Sequence, residues 1–248
     1  MANRGKSRLD ALLVARDLAE TGSRARALIM AGKVFSAEKR LDKAGQIVAD
    51  DLPLEVRGRD HPWASRGGVK LAHALDHFGF NPDGRVCLDI GASTGGFADV
   101  LLARGATKIY AVDVGRGQID PRLGADSRVI VLDGVNARYL TRAQIPDPPG
   151  FITCDASFIS VTKVLGAALN LAAVPAALVA LIKPQFEAGK SQVGKGGIVR
   201  DPVVHTEVCA RVETWLRGQP GWSVHGIEPA PITGAKGNIE FLICASRT

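Results

Sequence analysis

Aromatic residues and cysteines are both scarce in this chain of 248 residues. Aromatics make up only 5% while glycines number 28, which favours a turn-rich α/β architecture over a β-barrel packed with aromatic rings. Apolar residues at 46% and charged residues at 23% are close to the globular average, which excludes a disordered or collagen-like protein. Acidic residues are fewer than basic ones, and the net charge of +6 favours a polyanionic partner, although such an excess is common.

Metal and disulfide signals are missing as well. The four cysteines lie far apart and form no C-x-x-C pair, so we predict neither a disulfide framework nor a metal site. We expect free thiols, mostly buried, in a protein of the reducing cytoplasm. The five histidines show no spacing typical of metal ligands, and we expect surface or incidental roles for them. The first residues are basic but no apolar segment follows them, so we expect no signal peptide. The cysteines are Cys87, Cys154, Cys209 and Cys244.

One long uncharged stretch runs from Val164 to Ile182, and its 19 residues are nominally enough to cross a membrane. It is rich in alanine, however, and it contains Asn170 and Pro175. Because the proline divides it into two short pieces, we predict a helix up to about residue 173, followed by a buried strand over 176–182. We therefore expect no membrane span.

Residues 1–58 differ in sequence pattern from the rest of the chain and are predicted to form a small α+β domain. A capping box at Ser7 precedes apolar residues at helical spacing from Leu9 onward. A second helix is predicted to begin at Ser23 and to end at Gly32, since glycine commonly follows the last helical turn. Two short strands are predicted around residues 33–35 and 54–56, and residues 59–64, which include a proline, are predicted as a linker.

The front segment is also basic: between residues 4 and 33, seven basic residues stand against three acidic ones. A single exposed arginine or lysine is usually an ordinary solvated charge. A cluster is more informative, because affinity for RNA is largely electrostatic. The candidate RNA-binding residues are Arg8, Arg24, Arg26 and Lys33, to which Arg66 is added from the following segment.

Strands and helices alternate over residues 65–248, which predicts a Rossmann-like, doubly wound parallel sheet. The predicted strands are nearly continuous apolar runs, as strands buried on both faces are. They span residues 85–90, 108–114, 128–132, 150–154 and 176–182. The predicted helices span residues 71–78, 97–103, 117–123, 137–142, 161–171 and 203–216. Residues 224–227 and 239–245 are predicted to form a closing antiparallel pair.

A glycine-rich loop, Asp89-Ile90-Gly91-Ala92-Ser93-Thr94-Gly95-Gly96-Phe97, follows the first of these strands. Glycines at this place let the backbone turn sharply and approach a ligand closely. The spacing is neither G-x-G-x-x-G nor a P-loop, and its D-x-G-x-x-x-G-G form favours S-adenosylmethionine. Asp113 ends the second strand, where a carboxylate can accept hydrogen bonds from a ribose diol. A glycine turn that serves only packing is the alternative. The candidate cofactor residues here are Asp89, Gly91, Ser93, Thr94, Gly95, Gly96, Phe97 and Asp113.

Two ionisable residues end neighbouring strands further along the chain. Asp155 follows one apolar strand and Lys183 ends the next, so adjacent parallel strands would place both at the same carboxyl edge. Burial of the lysine lowers its pKa while the carboxylate opposes that shift, and a lysine so placed is a candidate general base for a sugar hydroxyl. A strand-end salt bridge is the alternative. Lys70 and Glu240 complete a Lys-Asp-Lys-Glu set.

These motifs carry a resemblance to known families. Residues 65–248 resemble the FtsJ-like S-adenosylmethionine-dependent ribose 2′-O-methyltransferases, whose signature is a K-D-K-E tetrad. Residues 7–58 resemble the S4-type RNA-binding domain, and the whole chain resembles the TlyA, or hemolysin A, family. The matching stretches are Arg8-Leu9-Asp10, Ser65-Arg66-Gly67-Gly68, Asp89 to Phe97, Asp113-Val114-Gly115, Asn136-Ala137-Arg138, Asp155 to Ser160, Lys183 to Glu187 and Gly237 to Glu240.

The resemblance implies 2′-O-methylation of cytidines in ribosomal RNA, with ribosomal RNA or ribosomal subunits as partner and no metal. It implies that Lys183 is the base and that Asp155, Lys70 and Glu240 position the hydroxyl. It also places Asn136 at the adenosine portion of the cofactor. Nothing in the fold or the tetrad requires a second chain, so we expect a monomer.

The target base also needs a stacking partner. With so few aromatics we expect Phe158 or Phe186 to take this role, although both are equally plausible as core residues. Two other function classes stay open: a non-catalytic RNA-binding or ribosome-assembly factor, and a membrane-lytic protein. The intact tetrad argues against the first. The absence of an amphipathic membrane stripe argues against the second.

Overall fold

The computed structural model describes residues 5–19, 21–57 and 61–248. The front segment builds its own small core, in which Leu9, Leu13 and Ile29 from two packed helices are almost fully buried. Helical spacing places these apolar side chains on facing sides of the helices. The elements are β1 (Lys6–Arg8), α1 (Leu9–Ala15), α2 (Gly22–Met30), β2 (Val34–Ser36), β3 (Lys39–Arg40), β4 (Ile47–Ala49) and β5 (Glu55–Val56). Strand β1 pairs with β4, and the other three form a sheet in the order β3-β2-β5.

Both predicted helix caps of this segment are wrong. Ser7 lies in β1, and Arg8 is the N-cap of α1 without a side-chain hydrogen bond. Asp10 instead accepts two hydrogen bonds from the Arg8 guanidinium, at 3.0 and 2.8 Å. The cap of α2 is Thr21, whose hydroxyl accepts from the backbone of the third helical residue at 3.1 Å. Gly32 does end this helix region, in a left-handed conformation with φ of +67°.

The predicted strands at 33–35 and 54–56 correspond to β2 and β5. Strands β1, β3 and β4 are not predicted by the sequence, because two or three partly exposed residues carry no apolar alternation. Of the predicted linker, residues 59 and 60 lie outside the described residues. Trp63 packs against the core of the following unit, and the backbone N–H of Ala64 donates to the Asp99 carboxylate at 2.8 Å.

The larger unit is a seven-stranded sheet with helices on both faces, which confirms the doubly wound prediction. Its strand order is β11-β12-β10-β9-β6-β7-β8, and β12 runs antiparallel to both of its neighbours, β10 and β11. The strands are β6 (Val86–Ile90), β7 (Lys108–Asp113), β8 (Val129–Asp133), β9 (Phe151–Cys154), β10 (Ala176–Ile182), β11 (Trp222–Pro229) and β12 (Phe241–Arg247). The helices are α3 (Gly67–Phe78), α4 (Gly96–Ala103), α5 (Pro121–Gly124), α6 (Val161–Leu171), α7 (Pro184–Glu187) and α8 (Pro202–Arg217).

Two predicted helices are much shorter than expected. The helix predicted over 117–123 is reduced to the four residues of α5, because Gly117 adopts φ of +64° and Pro121 sets a helix start. The helix predicted over 137–142 is a single 3₁₀ turn, Ala137–Tyr139. Too few apolar residues occur there to give a longer helix a buried face, since Tyr139 is 66% exposed.

Alternate strand residues feed two separate cores, one on each face of the sheet. Cys87 faces the core that α3 and α4 cover, and Leu88 faces the core that α6 and α8 cover. All seven residues of β10 are buried, as a central strand requires. The uncharged stretch is split between α6 and β10 as predicted, and no helix in the described part of the chain is long and apolar enough to cross a membrane. All four cysteines are free, and three of them are buried.

The sheet topology creates a crevice at one place. After β6 the chain winds outward through β7 to β8, and it then returns to the other side of β6 to form β9 and β10. The loops after β6 and β9 therefore diverge at the carboxyl edge of the sheet. Doubly wound proteins bind their ligands at such a switch point.

Candidate active site

A cavity of about 710 Å³ opens at this switch point. Its size is within the range of small-molecule and cofactor sites, roughly 300–1,000 Å³. Residues from both predicted groups, cofactor-binding and catalytic, line it. Those residues are Gly91, Ser93, Asp113, Asn136, Asp155 and Lys183.

The loop after β6 shapes the floor of the cavity. Gly91 has φ of +77°, and a Cβ at this position would lie 2.9 Å from backbone atoms of Ala156, so no larger residue fits. The Asp113 carboxylate accepts from the backbone N–H of Ser93 at 2.8 Å and from that of Gly115 at 2.7 Å. These two bonds hold the carboxylate still, and its remaining lone pairs can accept from the hydroxyls of a ribose diol.

Five predicted cofactor residues do not line the cavity: Asp89, Thr94, Gly95, Gly96 and Phe97. All five are buried behind the loop surface, and Asp89 is fully buried. One oxygen of Asp89 accepts from the Thr153 hydroxyl at 2.8 Å, while the other has no hydrogen-bond partner among the described residues. Burial raises the pKa of Asp89 to about 7. These residues support the loop from behind instead of forming the cavity wall.

Three further wall residues are not predicted as site residues. Val114 is 71% exposed just beyond β7, and with Val135 it gives one side of the cavity an apolar surface. Gln118 also lines the cavity and accepts a hydrogen bond from the Ser93 hydroxyl at 3.2 Å. Val114 belongs to a stretch that carries the family resemblance, whereas Val135 and Gln118 belong to no motif and only the folded geometry identifies them. Asn136 lies beside them, and its side-chain oxygen accepts from the backbone N–H of Arg138 at 3.1 Å.

Lys183 and Asp155 meet at the other side of the cavity, as the parallel pairing of β9 and β10 predicts. The Lys183 Nζ lies 2.6 Å from Asp155 Oδ1. It also donates to the backbone oxygen of Asp155 at 3.1 Å and to the Ser157 hydroxyl at 2.9 Å. Lys183 is only 8% exposed, so its amine is held in one direction, and it lines the cavity.

A second buried ion pair lies behind the first. Lys70, in the first turn of α3, places its Nζ 2.6 Å from Oε2 of Glu240, which immediately precedes β12. Gln185 donates to the other oxygen of Glu240 at 3.1 Å. Lys70 is 7% exposed and Glu240 3%, and neither lines the cavity. The four residues are thus brought together as two ion pairs, of which one is at the cavity wall.

The pKa of Lys183 is shifted in the direction opposite to that expected from burial alone. Burial lowers its pKa, as predicted, but the charges of Asp155 and Glu240 outweigh burial, and the net direction is upward. The amine is therefore an ammonium at neutral pH in this state, paired with Asp155.

Known protein families match both parts of the chain. The FtsJ-like methyltransferase family matches residues 63–247, and the S4 domain family matches residues 7–51. The chain is 43% identical over 239 residues to the 16S/23S rRNA (cytidine-2′-O)-methyltransferase TlyA of Mycobacterium tuberculosis, covering 96% of this chain and 89% of that protein. The chain belongs to the TlyA family of FtsJ-like methyltransferases.

Other members of the TlyA family carry a different kind of name. Hemolysin A of Brachyspira hyodysenteriae is 37% identical over 236 residues, covering 95% of this chain and 98% of that protein. A solved structure from Streptococcus thermophilus, also named as a hemolysin, is 40% identical with a TM-score of 0.83 and covers 98% of this chain and 89% of that one. The predicted family resemblance and fold class are confirmed.

The rim of the methyltransferase cavity carries an exposed aromatic ring. Phe158 is 90% exposed and has φ of +63°, a strained conformation for a residue with a side chain. Its ring centroid lies 5.0 Å from that of Phe186, which is half-buried. Of the two alternatives for Phe158, the core role is therefore wrong.

The predicted RNA-binding residues have varied surroundings. Arg8 and Arg26 both approach the buried Asp10, at 2.8 and 3.8 Å, so they lie together. Arg24 is exposed on α2, and Lys33 is half-buried. Arg66, at the N-cap of α3, donates to the backbone oxygen of Thr233 at 3.4 Å.

One pair of histidines does have a spacing that metal ligands use, contrary to expectation. His73 and His77 are four residues apart on α3, and with Glu228 of β11 they bring potential metal-ligand atoms within 4.8 Å of one another. The rings stack at 5.8 Å, and His77 Nε2 lies 3.9 Å from Glu228 Oε2, the separation of a His–carboxylate pair. None of the three lines the cavity. We assign this cluster the role of a surface ion pair.

Proposed function

We propose that this chain is a cytoplasmic methyltransferase that transfers a methyl group from S-adenosylmethionine to the 2′-hydroxyl of cytidine in ribosomal RNA. The observation that carries the proposal is the ion pair of the buried Lys183 with the half-buried Asp155, which lines the same cavity as Gly91 and Asp113. The name of the tuberculosis relative supports the same reaction.

The cavity has the groups that S-adenosylmethionine requires. Asp113 is held ready to accept from ribose hydroxyls, and Val114 with Val135 offers an apolar surface to the adenine. Gly91 lets the loop after β6 pass close to the backbone of Asp155 and Ala156, which keeps the cofactor loop beside the catalytic pair. When bound, the cofactor supplies a methyl group that its sulfonium already activates, so the protein mainly has to orient the reactants. Such orientation is worth about 7–11 kcal/mol at best.

In the reaction the O2′–methyl bond forms as the sulfur–methyl bond breaks, and the hydroxyl proton must go to a base. Lys183 is an ammonium in the ligand-free protein. The pKa of Lys183 would be lowered by the sulfonium of bound S-adenosylmethionine, because like charges disfavour the charged form. Lys183 then loses its proton to solvent, and its free Nζ accepts the O2′ proton. Asp155 and Ser157 fix the direction of Nζ throughout.

Lys70 and Glu240 act as positioning residues. Glu240 lies close enough to Lys183 to raise its pKa, while Lys70 neutralises most of the Glu240 charge from 2.6 Å. The pair thereby sets the electrostatic surroundings of the base without touching the cavity.

The front domain and the rim would hold the RNA. The S4 domain offers Arg8, Arg24, Arg26 and Lys33 to phosphates, and Phe158 offers an exposed ring to a splayed base. Such stacking is worth about 1–3 kcal/mol per base. We expect one chain to act alone on ribosomal RNA or on a ribosomal subunit.

Transfer of tritiated methyl from S-adenosylmethionine to purified small and large ribosomal subunits tests the proposal. We expect label on a cytidine ribose, and a loss of about 10²-fold or more in Lys183→Ala, the range for removing a general base. Lys163→Ala, on the exposed face of α6, is the matched control and should retain activity. Tight subunit binding without transfer would contradict the proposal and favour a non-catalytic RNA-binding factor.

A further inference from the structure

An acidic residue of the front domain reaches the methyltransferase cavity. Asp17 lies two residues beyond α1, and together with Ala15 it lines the same cavity as Asp155 and Lys183. Its backbone has φ of +54°, a left-handed conformation that turns the chain at the end of the helix. Among the described residues, its carboxylate accepts no hydrogen bond, so no local bond explains its direction.

The charges that surround Asp17 are those of the catalytic site. Asp17 is itself exposed to solvent at the cavity, and the protein packed around it raises its pKa. Asp155 also raises this pKa, whereas Lys183, Lys70 and Arg66 lower it, and the net direction is upward. Asp17 in turn raises the pKa of Lys183. The carboxylate thus lies within electrostatic reach of the cations from α3 and from the end of β10.

Asp17 reaches the cavity because the whole end of α1 lies there, and not because one side chain is extended. Arg16 donates to the backbone oxygen of Leu52 at 2.6 Å, which fixes this turn to the rest of the front domain. A second, smaller cleft is bounded by Arg16 and Leu18 on one side and by Thr94 and Gln118 on the other. The front domain therefore borders the cofactor loop as well as the catalytic pair.

This placement opposes the entry of RNA. In an RNA chain each ribose lies between two phosphates. The Asp17 carboxylate repels these phosphates and reduces the positive potential of the nearby cations that would otherwise attract them. Binding of an RNA to the basic residues of the front domain can shift that domain, and Asp17 with it, away from the cavity. An RNA that contacts only the cavity cannot produce this shift.

We propose that Asp17 is a specificity-determining residue, which excludes from the cavity those RNAs that do not also bind the front domain. The inference rests on the proposed methyltransferase function. It adds that the front domain does more than provide affinity. In the absence of RNA on that domain, the carboxylate of Asp17 lines the cavity and repels unrelated single strands.

Asp17→Asn tests this, because asparagine keeps the size of the side chain and tolerates the left-handed backbone. Asp42→Asn is the matched control: it makes the same change of charge on an exposed residue of the front domain that lines neither cavity. Both variants and the wild type are assayed with purified ribosomal subunits and with a short oligocytidylate, which is too short to span both domains. Methyl transfer and binding of the labelled oligonucleotide are both measured.

We expect Asp17→Asn to raise binding and methylation of oligocytidylate about threefold or more relative to the subunits, with a larger effect at low salt. Asp42→Asn should leave this ratio unchanged. An equal change on both substrates, or no change in either oligonucleotide binding or its methylation, would overturn the role of Asp17. Absence of wild-type transfer both to the subunits and to purified ribosomal RNA would instead refute the proposed function, so the two failures are distinguishable.

Discussion

Asp89 makes the stability of the methyltransferase domain depend on pH in an unusual direction. Its pKa is about 7 in the folded protein against an ordinary value of 3.8. Between these values the folded chain holds a proton that the unfolded chain has released, so the free energy of unfolding falls as pH rises from about 4 to about 7 and is flat above that. With about 1.4 kcal/mol for each pKa unit, the contribution lost across this window is roughly 4 kcal/mol.

Asp89→Asn removes the titration while leaving an oxygen to accept from the Thr153 hydroxyl. The amide group replaces a carboxylate oxygen that has no partner, at a cost of about 1–3 kcal/mol, so absolute stability is a poor measure and the pH slope is the informative one. Urea unfolding followed by tryptophan fluorescence suits this measurement, since the three tryptophans, Trp63, Trp215 and Trp222, all lie in the methyltransferase domain.

We expect the stability difference between wild type and Asp89→Asn to change by several kcal/mol between pH 4.5 and pH 7.5, in the direction that favours the variant at high pH. Asp126→Asn is the control, because the neighbouring Arg128 lowers the pKa of Asp126 to about 2, outside this range. Parallel curves for wild type and Asp89→Asn would refute the conclusion that burial protonates this carboxyl.

Two further substitutions have clear expected outcomes. Gly91→Ala should weaken binding of S-adenosylmethionine at least tenfold by calorimetry, since the added methyl meets backbone at 2.9 Å, whereas Gly79→Ala, with open space around a φ of +68°, should leave binding unchanged. Glu240→Gln should lower the free energy of unfolding by about 3 kcal/mol, because it leaves the buried Lys70 ammonium without its charge partner. Glu228→Gln, at a half-exposed pair, should cost less than about 1 kcal/mol in the same urea titration, and similar losses for the two would contradict the argument.

The sheet and the catalytic pair are accessible from the sequence for one physical reason. Strands buried on both faces are continuous apolar runs, and a parallel sheet gathers their carboxyl ends at one edge. Consecutive parallel strands are commonly neighbours, and because β9 and β10 are, Asp155 and Lys183 come together. The resemblance to a K-D-K-E family adds Lys70 and Glu240, whose 2.6 Å contact joins segments 170 residues apart.

The misplaced features depend on local competition or on tertiary placement. Ser7 loses the capping position because β1 pairs with β4, and a strand of three residues leaves no periodic signal. The glycine motif assigns Asp89 to the cofactor, which stays a prediction, and the sequence does not show that the pleat of β6 turns its side chain into the protein. Asp17 counts in the sequence only as a charge, since nothing in a sequence shows that one domain will place a residue over another.

The insertion of β12 between β10 and β11 makes the assembly of the four proposed site residues depend on a late segment of the chain. Residues that precede α6 supply Lys70 and Asp155, whereas Glu240 precedes β12, which comes after β10 and β11 in the chain and pairs between them. Until Glu240 and β12 are in place, Lys70 lacks its partner and β11 has no neighbour to pair with. A nascent chain, or one cut before residue 240, therefore contains the residues that line the cavity but lacks Glu240, and we expect it not to methylate RNA.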